Sequence, residues 1–403
     1  MKLLVLAHRL ELGGTQVNAI ELAAHLRDRH GFDVTVHATE GPALELLRNK
    51  QLAYVPAPDV RLHPSPRRMR QLRALTRQLQ PDLIHAWDWW QGLEAYWGVH
   101  LPARVPLVIT DMMMSLTRVL PRQLPTTFGF EGLRQQAQRA GWRRTHLLLP
   151  PVDTRANAPG AADGAGFRAA QGVAPGEIAV VSVSRLAEFM KSESLQRAIE
   201  VMRCLGAALP LKLVIVGDGA ARPRLEALAA AVNAELGRTA ITFAGALADP
   251  RPAYAAADIV LGMGGSALRG LAFAKPLIVV GEKGFAHVFS PQSADRFRQT
   301  GIYGRGGGSP GNRSLAAALR ALARDPALRQ DLGAFGRHYV IDTHGLDTVA
   351  DGFAAFCAEA VAGPPGRLAD AADAARSAYY YLRERRFLVP SRDRIAGPAL
   401  AGR

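Results

Sequence analysis

Residues 178–284 decide the fold. Four short apolar runs follow one another there: IAVVSVSRL (178–186), LKLVIVGDG (211–219), ADIVLGMGG (257–265) and KPLIVVGEKG (275–284). Three of them end in glycine-bearing loops. β-Branched runs of this length, bounded by turn residues and alternating with helical segments, read as strands of a parallel sheet. In such sheets ligands bind beyond the carboxyl ends of the strands, where helix N-termini present free N–H groups. Those ends carry Arg185 and Lys191 after the first run, and Gly262-Met263-Gly264-Gly265-Ser266 after the third. Two cations and a small-residue turn at one sheet edge suit a diphosphate, which points to a nucleotide-linked donor.

The amino-terminal half alternates in the same way. MKLLVLAH (1–8) is a strand, followed by Leu12-Gly13-Gly14-Thr15 and a helix over 17–26. Residues 32–37 alternate as a strand, 68–79 read as a helix, and PDLIHAWD (81–88) and VPLVITD (105–111) as two further strands. HLLLPPVD (146–153) closes this half. Residues 154–166, rich in Ala, Gly, Asn and Asp, read as an interdomain linker. The expected domains are therefore 1–160 and 161–360, with 361–403 a closing helix (367–386) and a frayed tail. Gly304–Gly308 reads as a mobile loop, and 315–324 and 327–339 as amphipathic helices.

Composition bounds the class. At 403 residues with 48% hydrophobic content, the chain has enough material for two cored domains. Cys204 and Cys357 lack metal-ligand spacing, so a reducing cytoplasm is the expected compartment. No apolar run approaches the roughly 20 residues of a bilayer span. The formal net charge is +14, yet only six of the 49 basic residues are lysines. That bias reads first as arginine supplied wherever a surface cation is tolerated. The other reading is a basic face that meets an anionic membrane or a phosphorylated acceptor. The densest clusters, Arg67-Arg68-Met69-Arg70 with Arg73, and Arg383 with Arg385 and Arg386, are not interleaved with aromatics as in single-strand nucleic-acid binders. No nucleic-acid partner is expected.

Taken in order, Gly13-Gly14-Thr15, Ser184-Arg185-Leu186 with Lys191, Val214–Gly219, Phe243-Ala244-Gly245, Tyr254–Asp258 and Ala274-Lys275-Pro276 resemble a known family. It is the retaining, nucleotide-sugar-dependent glycosyltransferases of the GT-B fold, the group of sucrose synthases and bacterial envelope mannosyl- and glucosyltransferases. The resemblance implies an α/β fold of two Rossmann-like parallel-sheet domains facing across a cleft. It implies a UDP- or GDP-linked sugar on the second domain, and a glycan, lipid-linked or small-molecule acceptor on the first. Hexosyl transfer with retention would follow. Arg185 and Lys191 would grip the diphosphate without a metal or other cofactor, one by a guanidinium fork and one as a point charge. Gly245, Gly264, Gly265 and Ser266 would bind the donor, and Gly13, Gly14 and Thr15 would lie on the acceptor side.

The family pattern breaks in two places. Its paired glutamates fall on Leu261 and Arg269, so neither carboxylate is present. Glu282, after the next strand, is a candidate replacement, and Arg269 a candidate contact to an acidic donor group. The family's histidine near the reacting carbon falls after VPLVIT, where Asp111 stands instead. His8 and His85, read as strand-end residues, are candidate acceptor or sugar contacts. Trp87, Trp89, Trp90 and Trp97 suit either an acceptor platform or the core. A GT-B protein that binds nucleotide or glycan without transfer is the alternative function.

Overall fold

A computed structural model describes residues 1–11, 13–188, 191–308, 312–363 and 366–388. Leu12 and the tail expected to fray, 389–403, lie outside the described residues. The chain divides into two compact units, Met1–Pro151 with Leu346–Arg403, and Val152–Gly345.

The first unit is built on seven parallel strands: β1 (Lys2–Leu6), β2 (Asp33–Ala38), β3 (Ala53–Pro56), β4 (Leu83–Trp87), β5 (Leu107–Asp111), β6 (Thr126–Phe128) and β7 (Thr145–Leu147). Their order is β3-β2-β1-β4-β5-β6-β7. All five residues of β4 and all five of β5 are buried, as expected of strands covered on both faces. The chain runs outward from β1 to β3, then returns to the other side of β1, so the order reverses between β1 and β4.

The second unit carries β8 (Ile178–Val183), β9 (Leu211–Val216), β10 (Ile241–Gly245), β11 (Ile259–Gly262), β12 (Leu277–Val280) and β13 (Ala286–Val288), in the order β10-β9-β8-β11-β12-β13. All neighbours are parallel except β13, which runs against β12. Here the reversal lies between β8 and β11. Crevices at such reversals are where α/β sheets bind ligands.

Two expectations about domain organisation are corrected. The first boundary falls at Pro151/Val152, because Val152 bridges to Gly345 and 163–170 fold as a cap and helix on the second unit. The second unit ends at Gly345 rather than near 360. Helix Leu346–Ala362 buries Val349, Phe353, Phe356 and Cys357 in the first unit's core. It also pairs Asp347 with His25 (2.8 Å) and Asp351 with Arg29 (2.8 Å) on helix Gly14–His30. Only Gly345 separates it from helix Pro326–His344, so the sequence reads as one continuing series. The closing helix is Arg367–Arg383, with a single 3₁₀ turn at Arg386–Leu388.

The loop Gly304–Gly308 is not free. The Gly306 and Gly308 amides donate to the Glu282 and Lys283 carbonyls at 2.9 Å, and Glu282 N to the Gly304 carbonyl at 3.1 Å. Of Trp87, Trp89, Trp90 and Trp97, the first three are core, and Trp97 is half-buried against the cluster that holds Trp89 and Trp90. Trp87, Trp89 and Trp90 are 1%, 3% and 6% exposed, which removes a flat acceptor platform made from them.

Candidate functional site

In the second unit the reversal point gathers the loops after β8 and β11. Residues 184–186, after β8, are laid against the VGDG turn after β9. Ser184 N donates to Val216 O at 2.9 Å and Leu186 N to Asp218 O at 2.8 Å. Gly217 (φ 138°) and Gly219 (φ 152°) permit this. A Cβ on Gly217 would stand 1.9 Å from the Ser184 carbonyl oxygen, and one on Gly219 would stand 2.5 Å from that of Leu186. The glycines of VIVGDG thus serve the Arg185 loop rather than a ligand directly. Gly245 belongs to the same support: its carbonyl accepts the Gly217 amide at 2.7 Å, at the end of β10 and two strands from β8.

Arg185 is exposed, and Lys191 opens helix Ser192–Leu205. Burial lowers the Lys191 ammonium to about 8, and the nearby Arg185 guanidinium adds to the effect. No acidic partner of either cation lies within ion-pair distance among the described residues. Two adjacent cations without a carboxylate leave positive charge unbalanced at this point of the sheet edge.

After β11 the chain passes directly into helix Gly265–Ala272 through Gly264 (φ 59°, ψ −136°), a conformation open to glycine. A Cβ on Gly264 would meet nothing within 4 Å, so the residue is required by its backbone and not by crowding. Ser266 donates to the Met263 carbonyl at 3.1 Å. Leu261 is a β11 residue, 2% exposed and packed in the core. Leu261 therefore lies within the strand, and its side chain faces the core rather than a ligand. Arg269 is half-buried on the helix, and its guanidinium lies 3.4 Å from where a Gly265 Cβ would stand.

Glu282 follows β12, at the same sheet edge. Its carboxylate accepts a short hydrogen bond from the Tyr303 hydroxyl, and burial together with Glu282 holds that phenol above its usual range. Glu193, which the sequence reading passed over, fixes this loop by accepting the Lys283 and Gly284 amides at 3.0 and 3.1 Å.

In the first unit, the register aligns three polar residues across the carboxyl ends of β1, β4 and β5. Leu6 pairs with Ala86 and Trp87 with Thr110, so His8 and Asp88 follow the ends of β1 and β4, while Asp111, paired with Phe128, is the last residue of β5. Asp88 was missed from sequence. It is a non-glycine residue at φ 65°, a conformation that aspartate tolerates and functional sites favour. Burial and the neighbouring Asp111 push its carboxyl up to about 7, although the Met112 amide donates to it. Asp111 is pushed up to about 6 by burial. Its Oδ1 accepts from Met113 N at 3.1 Å, and its Oδ2 has no partner among the described residues. His8 is buried, its ring 4.5 Å from Trp90, and its Nδ1 is also unpartnered among the described residues. Burial holds it neutral, at about 3.

His85 is corrected. It lies within β4 and not at its end, 1% exposed, with Nε2 2.6 Å from the Thr110 hydroxyl and the ring 4.5 Å from Phe353. Burial takes it down to about 3, and it is a satisfied core histidine. Gly13 caps helix Gly14–His30, which begins with Gly14 and Thr15. A Cβ on Gly14 would meet nothing within 4 Å, so packing does not explain that glycine.

Two doubly wound parallel-sheet units, each with its strand order reversing once, are the architecture of the GT-B fold. The family models agree: Glycosyltransferase Family 4 matches residues 12–155 and Glycosyl transferases group 1 matches 177–325, and the chain belongs to these glycosyltransferases. Among solved structures it is similar to a glycosyltransferase from Rickettsia africae (TM-score 0.72, 12% identity, covering 89% of this chain and 98% of that one). It is also similar to Anabaena HepE in complex with UDP-glucose (0.68, 17%, 89% and 100%). A third is WaaG, a glycosyltransferase involved in lipopolysaccharide biosynthesis (0.60, 16%, 89% and 99%). No curated protein matches the chain.

Proposed function

We propose that the protein transfers a hexosyl group from a UDP- or GDP-linked donor to a glycan, lipid-linked or small-molecule acceptor hydroxyl, with retention of configuration, in envelope-glycan or natural-product assembly. One observation carries this reading: Arg185 and Lys191 are close enough to depress the lysine, and among the described residues neither has an acidic partner. A diphosphate supplies the missing charge. As the glycosyl–oxygen bond breaks, negative charge grows on the leaving phosphate, so cations fixed beforehand stabilise the transition state more than the ground state. No metal is needed for that neutralisation. Gly265 and Ser266, at the start of the helix, supply backbone amides beside it, the Gly264 amide being donated to the Ile302 carbonyl at 2.7 Å, with Arg269 and Glu282 at the sugar end. On the acceptor side, Asp88 and Asp111 orient the attacking hydroxyl beside His8, Gly13, Gly14 and Thr15. HepE binding UDP-glucose supports the donor class. The unpaired cysteines suit a reducing cytoplasm, and the arginine-rich face suits peripheral contact with anionic lipid.

The test is thermal unfolding with a panel of UDP-, GDP- and dTDP-sugars. A donor at about a hundred times its Kd adds about 2.7 kcal/mol, a rise of several degrees for a unit of this size. Arg185→Ala and Lys191→Ala should each remove that rise and abolish turnover while leaving ligand-free melting nearly unchanged. If no nucleotide raises Tm, the donor site is wrong. Binding without transfer is the second reading, favoured by the arginine at 269 and the core-facing Leu261. It predicts the same Tm rise with neither transfer nor donor hydrolysis.

A further inference from the structure

Helix Arg367–Arg383 buries acids beside its core contacts. Inward, Ala374, Tyr380 and Tyr381 pack on the first unit's core, while Asp370 and Asp373 are 1% and 5% exposed. The Asp370 carbonyl accepts the Tyr96 hydroxyl at 2.9 Å and its carboxylate meets His100 and Arg104. Asp373 accepts the Gln123 amide at 2.9 Å, and Ser377 donates to Val119 O at 2.6 Å. The outward face is apolar. Leu368, Ala371, Ala372, Ala375, Tyr379 and Leu382 recur at helical spacing and are all exposed, Leu368 by 89%, Tyr379 by 57% and Leu382 by 63%. At 1.5 Å per residue this ridge is about 21 Å long. Leu62 (48%) and Phe387 (39%) are exposed beside the helix: Tyr381, on its half-buried flank, donates to the His63 carbonyl at 2.9 Å, and its ring lies 6.2 Å from Phe387. Five of the eight large apolar side chains exposed among the described residues stand on this helix or next to it, three of them on the one face, and such concentration marks a contact surface.

Charge decides the partner. Arg367, Arg383 and Arg385 are exposed along the ridge, and Arg61, Arg67 and Arg70 are exposed on the segment next to Leu62. The acids of 367–388 are spent: Asp370 and Asp373 face inward, and Glu384 is held by Arg118 (3.2 Å) and Arg386 (2.7 Å). Helix Pro66–Leu79 contains no acid at all. A second copy of the chain would set arginine against arginine across the ridge. A bilayer bearing anionic headgroups offers apolar depth beneath a negative surface, and answers both features.

We propose that the outward face of helix Arg367–Arg383, with Leu62 and Phe387, docks on an anionic membrane surface. The inference gives a place to the lipid contact in the functional reading above and does not depend on the transfer chemistry. Full-length protein is sedimented with vesicles of phosphatidylcholine alone and of phosphatidylcholine with phosphatidylglycerol. Binding is expected only to the second, and raising salt should weaken it. Leu368→Ser, Tyr379→Ser and Leu382→Ser together should lower partitioning at least about tenfold. Arg383→Gln and Arg385→Gln should each lower it about fivefold. These side chains are exposed, so melting and circular dichroism should be unchanged. As a second readout, Tyr379→Trp fluorescence should be quenched by brominated lipid. The proposal is overturned if wild-type protein stays in the supernatant, if the triple variant sediments equally, or if the tryptophan is not quenched. It is also overturned if light scattering shows a dimer that the triple variant dissociates. A nucleotide-induced Tm rise without vesicle binding would sink this inference alone.

Discussion

Asp88 and Asp111 show how single residues are strained toward a task. Adjacent parallel strands bring them side by side, and burial raises both carboxyls, to about 7 and about 6. The folded state therefore holds protons that the unfolded chain has lost. Their stabilising contribution is complete below the ordinary carboxyl value of 3.8 and vanishes as pH rises through 6 to 7. His8 and His85, lowered to about 3 by burial, act in the opposite sense: their contribution is present above 6.5 and is lost as pH falls toward 3. Between about pH 5 and 6.5 the two effects nearly cancel, so stability should be broadly level across that range. Asp88→Asn should match wild type at about pH 5 and exceed it by about 2 kcal/mol at pH 8, read as the difference in Tm, while turnover falls at least about tenfold. A variant whose melting follows wild type at both pH values would remove Asp88 from the couple. The sequence showed Asp111, because it closes an obvious strand. Asp88 lay hidden because nothing in the letters HAWDWW fixes the sign of φ, and the adjoining tryptophans drew the reading to themselves.

At the level of elements, four strands of the second unit were legible because they are uniform β-branched runs. The strands that escaped notice, β3, β6, β10 and β13, are three to five residues long and owe their pairing to neighbours. The Ala274 turn carries a further trace of element packing. Ala274 sits at φ 56°, and its carbonyl oxygen would lie 2.1 Å from a Cβ on Gly333, so helix Pro326–His344 packs directly on the turn. Ala274→Gly relieves the left-handed alanine and should raise stability by up to about 1 kcal/mol in chemical denaturation. Gly333→Ala, read the same way, should cost several times that. Equal effects of the two would mean that the backbone contact is not rigid. The glycine turn after β11 was foreseen in position. The buried place of Leu261 was not, since only the strand's end point reveals that this residue lies within it.

At the scale of the whole molecule, composition identified two cored units and an arginine surplus but could not say where either is used. Helix Arg367–Arg383 accounts for part of the surplus: its inward face seals the first unit, and its exposed arginines line an apolar ridge. The boundary errors have one origin. A chain that returns to an earlier unit leaves no compositional mark, since residues 326–362 read as one run of helices with a single glycine between the two packing partners.

That return has a consequence for synthesis. Residues 152–345 are contiguous and carry a complete sheet and core, whereas the amino-terminal sheet lacks Phe353, Phe356 and the Asp347 and Asp351 ion pairs until residues 346–362 have also been made. The half translated first is thus the half completed last. Expressed alone, 152–345 should give a cooperative melting transition, and 1–151 should aggregate unless residues 346–388 are supplied as a separate peptide. A nascent chain stalled near residue 345 would expose the bare flank of helix Gly14–His30, the surface on which a chaperone would be expected to wait.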